Sequence, residues 1–79
     1  MKAQESAKRP DLSAILKELP PFVMRSHPRF RELTGYSPRS MANMDSLGCG
    51  PAYRIRIGNT VAYERESLIR WLEERSLIL

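Results

Sequence analysis

The sequence predicts a single small α+β domain in which short helices accompany a two-stranded β-hairpin. Three observations support this fold class. The 79 residues leave room for one small hydrophobic core. Prolines and glycines divide the first fifty residues into short stretches whose apolar residues recur at helical spacing. Residues 53–63 instead alternate between apolar and polar side chains around Gly58-Asn59-Thr60, which indicates paired strands.

Composition argues against several classes of protein. No stretch approaches eighteen consecutive apolar residues, and residues 1–6 lack the apolar segment of a secretory signal, so neither a membrane span nor a signal peptide is expected. Cys49 is the only cysteine and His27 the only histidine, which excludes an intramolecular disulfide and a Cys/His zinc site and favours a reducing compartment. A domain this small has little room for a deep substrate cleft. We therefore expect a cytoplasmic, non-catalytic protein with no cofactor, metal, small-molecule substrate or membrane partner.

The N-terminal part is predicted to contain a disordered segment and one short helix. Residues 1–10 are polar and end at a proline, which is typical of a disordered lead-in. Residues 11–21 are expected to contain a short helix, capped by Asp11, and the Pro-Pro linker that ends it. The apolar stripe of this helix consists of Leu12, Ile15, Leu16 and Leu19. Phe22-Val23-Met24 is expected to be extended because it follows the two prolines.

Two further helices are separated by a glycine turn. Ser26 or His27 is the expected cap of the first, with a proline in its first turn, and Gly35 is in the usual place for a left-handed residue that ends a helix. Ser37-Pro38 begins the second, which runs to about Leu47. Two short helices joined by a tight turn make a helix-turn-helix.

The second of these helices has an apolar and a polar face. Met41 and Met44 define the inner face at about 100° per residue. The opposite stripe is short and polar and consists of Arg39, Ala42, Asn43 and Ser46. A surface helix selected only for solubility would more often carry lysine and glutamate there.

The hairpin is expected to separate apolar from basic residues. Tyr53, Ile55 and Ile57 would face the core, and Arg54 and Arg56 would face outward. A three-residue loop, with Asn59 and Thr60 at its tip, keeps Val61 and Tyr63 on the core face. A two-residue loop would instead pair Ile57 with Thr60 and turn Val61 to the arginine side. We expect the three-residue loop.

The C-terminal helix covers about residues 65–75 and is followed by an apolar tail, residues 76–79. The helix is expected to pack Leu68, Ile69, Trp71 and Leu72 inward. With Met41, Met44, Tyr53 and Tyr63, these side chains form the predicted core.

Positive charge is concentrated in the middle of the chain. The chain has a net charge of +4, and residues 25–63 carry six arginines against only Glu32 and Asp45. The planar fork of arginine suits phosphates and base edges, because it donates two hydrogen bonds at once. The alternative interpretation is a solvated basic surface with no partner.

The order helix, glycine turn, helix, two-stranded wing and packing helix is that of a winged helix-turn-helix. Within it, residues 22–75 resemble the excisionases and AlpA-like small proteins of the MerR-related superfamily. The resemblance is carried by Leu33-Thr34-Gly35-Tyr36-Ser37-Pro38-Arg39-Ser40, Gly48-Cys49-Gly50-Pro51-Ala52-Tyr53-Arg54-Ile55, Ile57-Gly58-Asn59-Thr60-Val61-Ala62-Tyr63 and Glu66-Ser67-Leu68-Ile69-Arg70-Trp71-Leu72-Glu73. The first helix departs from the family because it is basic.

The resemblance implies a recombination directionality factor of a mobile element or prophage. Such a protein binds double-stranded DNA near an attachment site and steers a site-specific integrase toward excision. Two alternatives remain open. An AlpA-like transcription regulator of the same fold would bind a promoter operator without an integrase, and a protein-binding adaptor would use apolar surfaces and bind no DNA.

The candidate DNA contacts fall into three groups. The recognition helix offers Ser37, Arg39, Ser40, Ala42, Asn43 and Ser46; the wing offers Arg54, Arg56, Asn59 and Thr60; and the backbone contacts would be Arg25, Arg29 and Arg31. Arginine can bond guanine O6 and N7, and asparagine can bond adenine N6 and N7. Wing arginines can reach phosphates or the minor groove.

Several copies are expected to act together, because one module of this size buries only about 600–1,000 Å² on DNA. The candidate self-association residues are Leu12, Ile15, Leu16, Leu19, Leu77, Ile78 and Leu79. Contacts between the ends of neighbouring copies would be head to tail and would propagate along DNA. Alternatively, either apolar end folds back on its own domain.

Overall fold

The computed structural model describes residues 9–79, in which a proline or glycine follows most of the elements before β3 within a few residues. The elements are a 3₁₀ helix Ser13–Glu18, strand β1 Phe22–Met24, helix α1 Phe30–Thr34, helix α2 Pro38–Ser46, strand β2 Arg54–Ile57, strand β3 Thr60–Glu64 and helix α3 Arg65–Glu74. The predicted disordered lead-in lies outside the described residues, except for its last two positions. No helix within residues 9–79 has the length and apolar character needed to cross a membrane.

The strands form one antiparallel sheet in the order β1-β3-β2. In β1, Val23 pairs with Tyr63 and Met24 pairs with Ala62. The sequence predicted the extended conformation of β1 but only a two-stranded hairpin. The three residues of β1 follow two prolines, and nothing in their sequence indicates which strand they pair with. The third strand of the sheet was therefore not predicted. The protein is a small α+β domain with a three-stranded sheet.

The hairpin loop contains two residues, and the predicted three-residue loop is wrong. Ile57 pairs with Thr60, which leaves Gly58 and Asn59 as the turn. Gly58 has a φ of 60°. Left-handed conformations of this kind are required in tight two-residue hairpin turns and favour glycine. Thr60 is therefore the first residue of β3 and not a residue of the loop tip.

This register reverses the predicted faces of the sheet. Directly paired residues share a face, so Tyr63 lies beside Arg54 and Val61 lies beside Arg56. Tyr63 is fully buried, which makes the arginine face the side covered by the helices. Tyr53, predicted to be a core residue, is 54% exposed on the opposite face. The apolar residues of β2 lie on one face of the hairpin, whereas Val61 and Tyr63 lie on the other with the arginines, so hydrophobic alternation favoured the wrong register.

The core lies between the helices and the arginine face of the sheet. The rings of Phe30 in α1 and Tyr63 in β3 have centroids 6.0 Å apart. Trp71 donates its indole N–H to the carbonyl of Cys49 at 2.8 Å and so joins α3 to the loop after α2. The inward face predicted for the C-terminal helix is confirmed. The buried core consists of Leu19, Val23, Phe30, Met41, Tyr63, Leu68, Ile69, Trp71 and Leu72.

The N-terminal apolar stripe packs on its own domain. Leu19 is buried, and Arg65 donates to its carbonyl oxygen at 2.9 Å. Glu73 accepts from the backbone N–H of Leu12 at 2.7 Å. Leu12, Ile15 and Leu16 pack against the core. The stripe was predicted either to contact a neighbouring copy or to fold back on its own domain, and it folds back. The C-terminal tail residues Leu77, Ile78 and Leu79 are exposed.

Helix α1 begins later than predicted. His27 donates its backbone N–H to the carbonyl of Met24, and its Nδ1 accepts from the N–H of Arg29. Residues 25–29 therefore form a turn, and neither Ser26 nor His27 caps a helix. The predicted left-handed end is confirmed, because Gly35 has a φ of 80°.

Replacing Gly35 with alanine should lower the free energy of unfolding by about 1 kcal/mol. The φ of 80° is unfavourable for a residue with a Cβ atom. No atom lies within 4 Å of an added Cβ, so the cost is conformational and not steric. Urea denaturation followed by circular dichroism measures the change. A loss of more than about 3 kcal/mol would contradict this account of the turn.

Candidate nucleic-acid interface

Helix α2 presents the predicted polar stripe to solvent. Pro38 occupies its first turn, and Met41 anchors it in the core, fully buried. Arg39, Asn43 and Ser46 are exposed, and Ala42 is half-buried. Within residues 9–79, no carboxylate forms a salt bridge with Arg39. Among the described residues, neither the guanidinium of Arg39 nor the amide of Asn43, one helical turn away, has a side-chain partner.

Ser37 and Ser40 hold the start of α2. The Ser37 hydroxyl accepts from the backbone N–H of Ser40 and donates to the Ser40 hydroxyl, both at 3.1 Å. A serine cap of this kind satisfies one of the free N–H groups at a helix start. Their hydroxyls are thus engaged within the chain, although the sequence suggested both as DNA contacts.

The hairpin arginines lie on the side of the sheet that faces α2. Arg54 Nη1 is 3.8 Å from Oδ1 of Asp45, a residue of α2. Arg56 is two residues along the same strand, on the same face, and is exposed. Thr60 lies on the opposite face, since it pairs with Ile57. The prediction that Thr60 accompanies the arginines is therefore wrong, whereas Asn59 is an exposed turn residue.

The helical wheel connects the two parts of this surface. At about 100° per residue, Ala42 lies about 60° from Asp45 and about 60° from Arg39. Asp45 points toward Arg54, so the small Ala42 side chain separates the arginine of the hairpin from the exposed stripe. The structure joins α2 to the hairpin through Asp45 and Arg54 and leaves Arg39, Asn43 and Arg56 exposed.

Two of the three predicted backbone-contact arginines are already paired within the chain. Arg29 donates to Glu18 at 2.8 Å and to Glu32 at 3.3 Å, and these hydrogen bonds raise the pKa of Arg29. Arg25 is paired with Asp45 at 2.6 Å. Arg31 is exposed and makes no salt bridge within residues 9–79. Of the three, Arg31 is the one whose charge is free for a partner.

A buried polar triangle joins α2 to the sheet. Asp45 is only 8% exposed, and its Oδ2 accepts from Arg25 at 2.6 Å and from the Tyr63 hydroxyl at 2.5 Å. Arg25 Nε donates to the same Tyr63 oxygen at 2.8 Å. Burial opposes the charge of Arg25, but its hydrogen bonds to Tyr63 and Asp45 outweigh that effect and raise its pKa.

The sequence analysis counted Asp45 only in the charge balance, but its helical phase carried a signal of a buried role. Asp45 follows Met41 by four residues, which places the two side chains on the same face of α2. Gly50 supplied a second signal. A Cβ atom at that position would lie 2.0 Å from Asp45 Oδ1, so only glycine lets the loop pass over the carboxylate.

Tyr63 should make folding stability depend on alkaline pH. Burial and its hydrogen bond to Asp45 raise the pKa of Tyr63 from 10.0 to about 12. The neutral phenol is favoured in the folded state, so its contribution is complete below pH 10 and is lost as the pH rises toward 12. Urea denaturation across this range should show the loss. Tyr63→Phe should remove that part of the pH dependence, and an unchanged profile would contradict the role of the phenol.

The candidate surface combines the polar stripe of α2 with the two hairpin arginines, of which Arg54 contacts Asp45 and Arg56 is exposed. Planar guanidinium and amide groups of this kind can bond phosphates and base edges. The chain matches no protein-family model, no curated protein and no solved structure. What the surface binds must therefore be inferred from its geometry and chemistry.

Proposed function

We propose that this chain is a non-catalytic winged helix-turn-helix protein that binds duplex DNA and acts as an excisionase. In this proposal α2 is the recognition helix and the β2–β3 hairpin is the wing. The observation that carries it is the contact between Asp45 of α2 and Arg54 of the hairpin. That contact joins the two candidate DNA-reading elements, which supports a DNA-binding surface to which both contribute.

Exposed arginines without an internal partner favour a polyanionic partner. Arg31, Arg39 and Arg56 are exposed and make no salt bridge within residues 9–79. A duplex supplies closely spaced phosphates that such guanidinium groups can neutralise.

The stripe of α2 suits the major groove. Arg39 and Asn43 are one turn apart and can reach neighbouring base edges. Ala42 beside Arg39 on the helix surface is small, so it does not hold the helix away from the bases. Arg54 and Arg56 would then meet phosphates or the minor groove beside the site.

Excision would require an integrase and several bound copies. The N-terminal stripe is packed on its own domain, so the exposed tail Leu77, Ile78 and Leu79 is the apolar end available for contact between copies on adjacent sites. An AlpA-like regulator of the same fold would use the same DNA surface at a promoter. An excision assay with a cognate integrase separates the two, because only an excisionase shifts the reaction toward excision.

A protein-binding adaptor is the second candidate, and one observation favours it. The outer face of the sheet is apolar, with Phe22 37%, Tyr53 54% and Ile57 43% exposed. A patch of this kind is common at protein interfaces. Unlike the arginine surface, it would bind a partner with little dependence on salt.

Salt titration of binding to a labelled duplex tests the proposed function. With about four to six phosphate contacts, the logarithm of the affinity should fall linearly with the logarithm of the salt concentration, with a slope of about −4 to −5. No binding to any duplex at low salt would reject DNA binding and leave the adaptor.

A further inference from the structure

One oxygen of Asp45 is left without a hydrogen bond. Among the buried side-chain atoms of residues 9–79, Asp45 Oδ1 is the one with no hydrogen-bond partner. Its neighbour Oδ2 accepts from both Arg25 and Tyr63. A buried carboxylate oxygen without a donor is costly, so its retention calls for a physical explanation.

Arg54 is the cation beside this oxygen. Its Nη1 is 3.8 Å from Oδ1, which is beyond hydrogen-bond length but close enough for strong attraction to a buried charge. The Arg54 side chain is 44% exposed, so the rest of its guanidinium faces solvent. Its backbone is fixed by direct pairing with the buried Tyr63.

Arg56 provides a natural comparison. It has the same side chain, on the same strand and the same face, yet no carboxylate within residues 9–79 forms a salt bridge with it. Arginine loses much side-chain entropy when it is immobilised by a partner. A guanidinium already held in place loses less of that entropy on binding.

We propose that Asp45 is a positioning residue that holds Arg54 through Oδ1, so that the hairpin arginine is ordered before DNA arrives. The ordering of Arg54 by Asp45 is a property of the free protein. Its effect on DNA affinity rests on the proposed function. Asp45 therefore has two roles on its two oxygens. Oδ2 joins α2 to the sheet, and Oδ1 aims Arg54 outward beside the recognition helix.

The first test needs no DNA. Nitrogen-15 relaxation of the arginine Nε–H groups in the wild-type protein should give Arg54 a clearly higher order parameter than Arg56. In Asp45→Asn, Arg54 should become as mobile as Arg56. Equal mobility of the two arginines in the wild-type protein would overturn the proposal, whatever the protein binds.

The second test measures coupling on a short random-sequence duplex. Double-mutant cycles combine Asp45→Asn with Arg54→Ala and, as the matched control, with Arg56→Ala. The factor by which Asp45→Asn weakens binding should be about five times larger in the wild-type background than in Arg54→Ala. The same factor should be unchanged in the Arg56→Ala background. Equal coupling to both arginines would contradict positioning and indicate a general effect of charge.

Tyr63→Phe separates positioning from stability. It weakens the same buried triangle at Oδ2 but leaves the charge and Oδ1 of Asp45 in place. Arg54 should stay ordered in this variant, and random-duplex affinity should change less than twofold, about the size of small electrostatic effects. If Tyr63→Phe lowers the affinity for the random duplex as much as Asp45→Asn does, the effect of Asp45 on binding comes from the stability of the fold and not from positioning. If the wild-type protein binds no duplex, the proposed function fails and the relaxation result alone decides the positioning role.

Discussion

Gly50→Ala is expected to lower the free energy of unfolding by about 2–4 kcal/mol, more than the other glycine substitution predicted above. The added Cβ would lie 2.0 Å from Asp45 Oδ1 and 3.1 Å from its Cγ. The carboxylate would have to swing away, although its other oxygen is bonded to Arg25 and Tyr63. Moving it leaves a partly buried guanidinium and a buried phenol without their acceptor.

Gly48→Ala is the matched control, because Gly48 lies in the same loop. It has a φ of 78° but nothing within 4 Å of an added Cβ, so it should cost only about 1 kcal/mol. Urea denaturation of both variants gives the comparison. If Gly50→Ala costs no more than Gly48→Ala, the carboxylate moves freely and the triangle does not hold α2 to the sheet.

Arg39→Ala is expected to cost about 1–3 kcal/mol of binding free energy at a specific site and to flatten discrimination at one base pair. Arg39 is exposed on the stripe of α2 and is not engaged by a carboxylate within residues 9–79. Its fork is therefore free to bond a guanine edge. Duplexes selected from a random library supply the specific site for the measurement.

Arg56→Ala serves as the comparison for Arg39→Ala. The wing arginine should contact phosphates, so its loss should weaken specific and random duplexes by similar factors and reduce the salt slope by about 1. Equal damage by Arg39→Ala on specific and random DNA would assign Arg39 to the backbone contacts. Arg54 is less suitable as the comparison, because its contact with Asp45 adds a second effect.

Local signals in the sequence predicted the ends of most helices. Ser37 and Pro38 start α2, and Gly35 ends α1 with a left-handed conformation, because capping and glycine preferences act within a few residues. The start of α1 was placed too early, since His27 bonds the preceding strand and forms a turn instead of a cap. Local capping preferences thus predicted the helix ends at which no contact with another element changes the backbone.

Pairing across the sheet was harder to predict. The register of the hairpin depends on whether two or three residues form the loop, and a shift of one residue exchanges the faces. The apolar residues of β2 share one face with Ala62, whereas Val61 and Tyr63 share the other face with the arginines, so the alternation favoured the wrong register. The deciding contact joins Tyr63 to Asp45, residues 18 positions apart. Such a contact depends on packing that no local pattern contains.

For the candidate interface, the sequence identified the stripe of α2 and the hairpin arginines but not their relation. Arg54 was expected to face away from the core, whereas it shares a face with Tyr63 and approaches Asp45. Arg25 and Arg29 resembled free charges in the sequence because their partners, Asp45 and Glu18, are distant in the chain. Composition gives the number of charges, and only the fold shows which are neutralised.

The most direct measurement of DNA binding by this surface is an NMR titration of the labelled protein with duplex DNA. The Nε–H signals of Arg39, Arg54 and Arg56 should shift on addition of the duplex, while the methyl signals of Ile57 on the outer face of the sheet should not. Such a result would assign the interface to the side where α2 and the hairpin arginines meet. Absence of arginine shifts, or shifts confined to Ile57 and its neighbours on the outer face, would contradict the account.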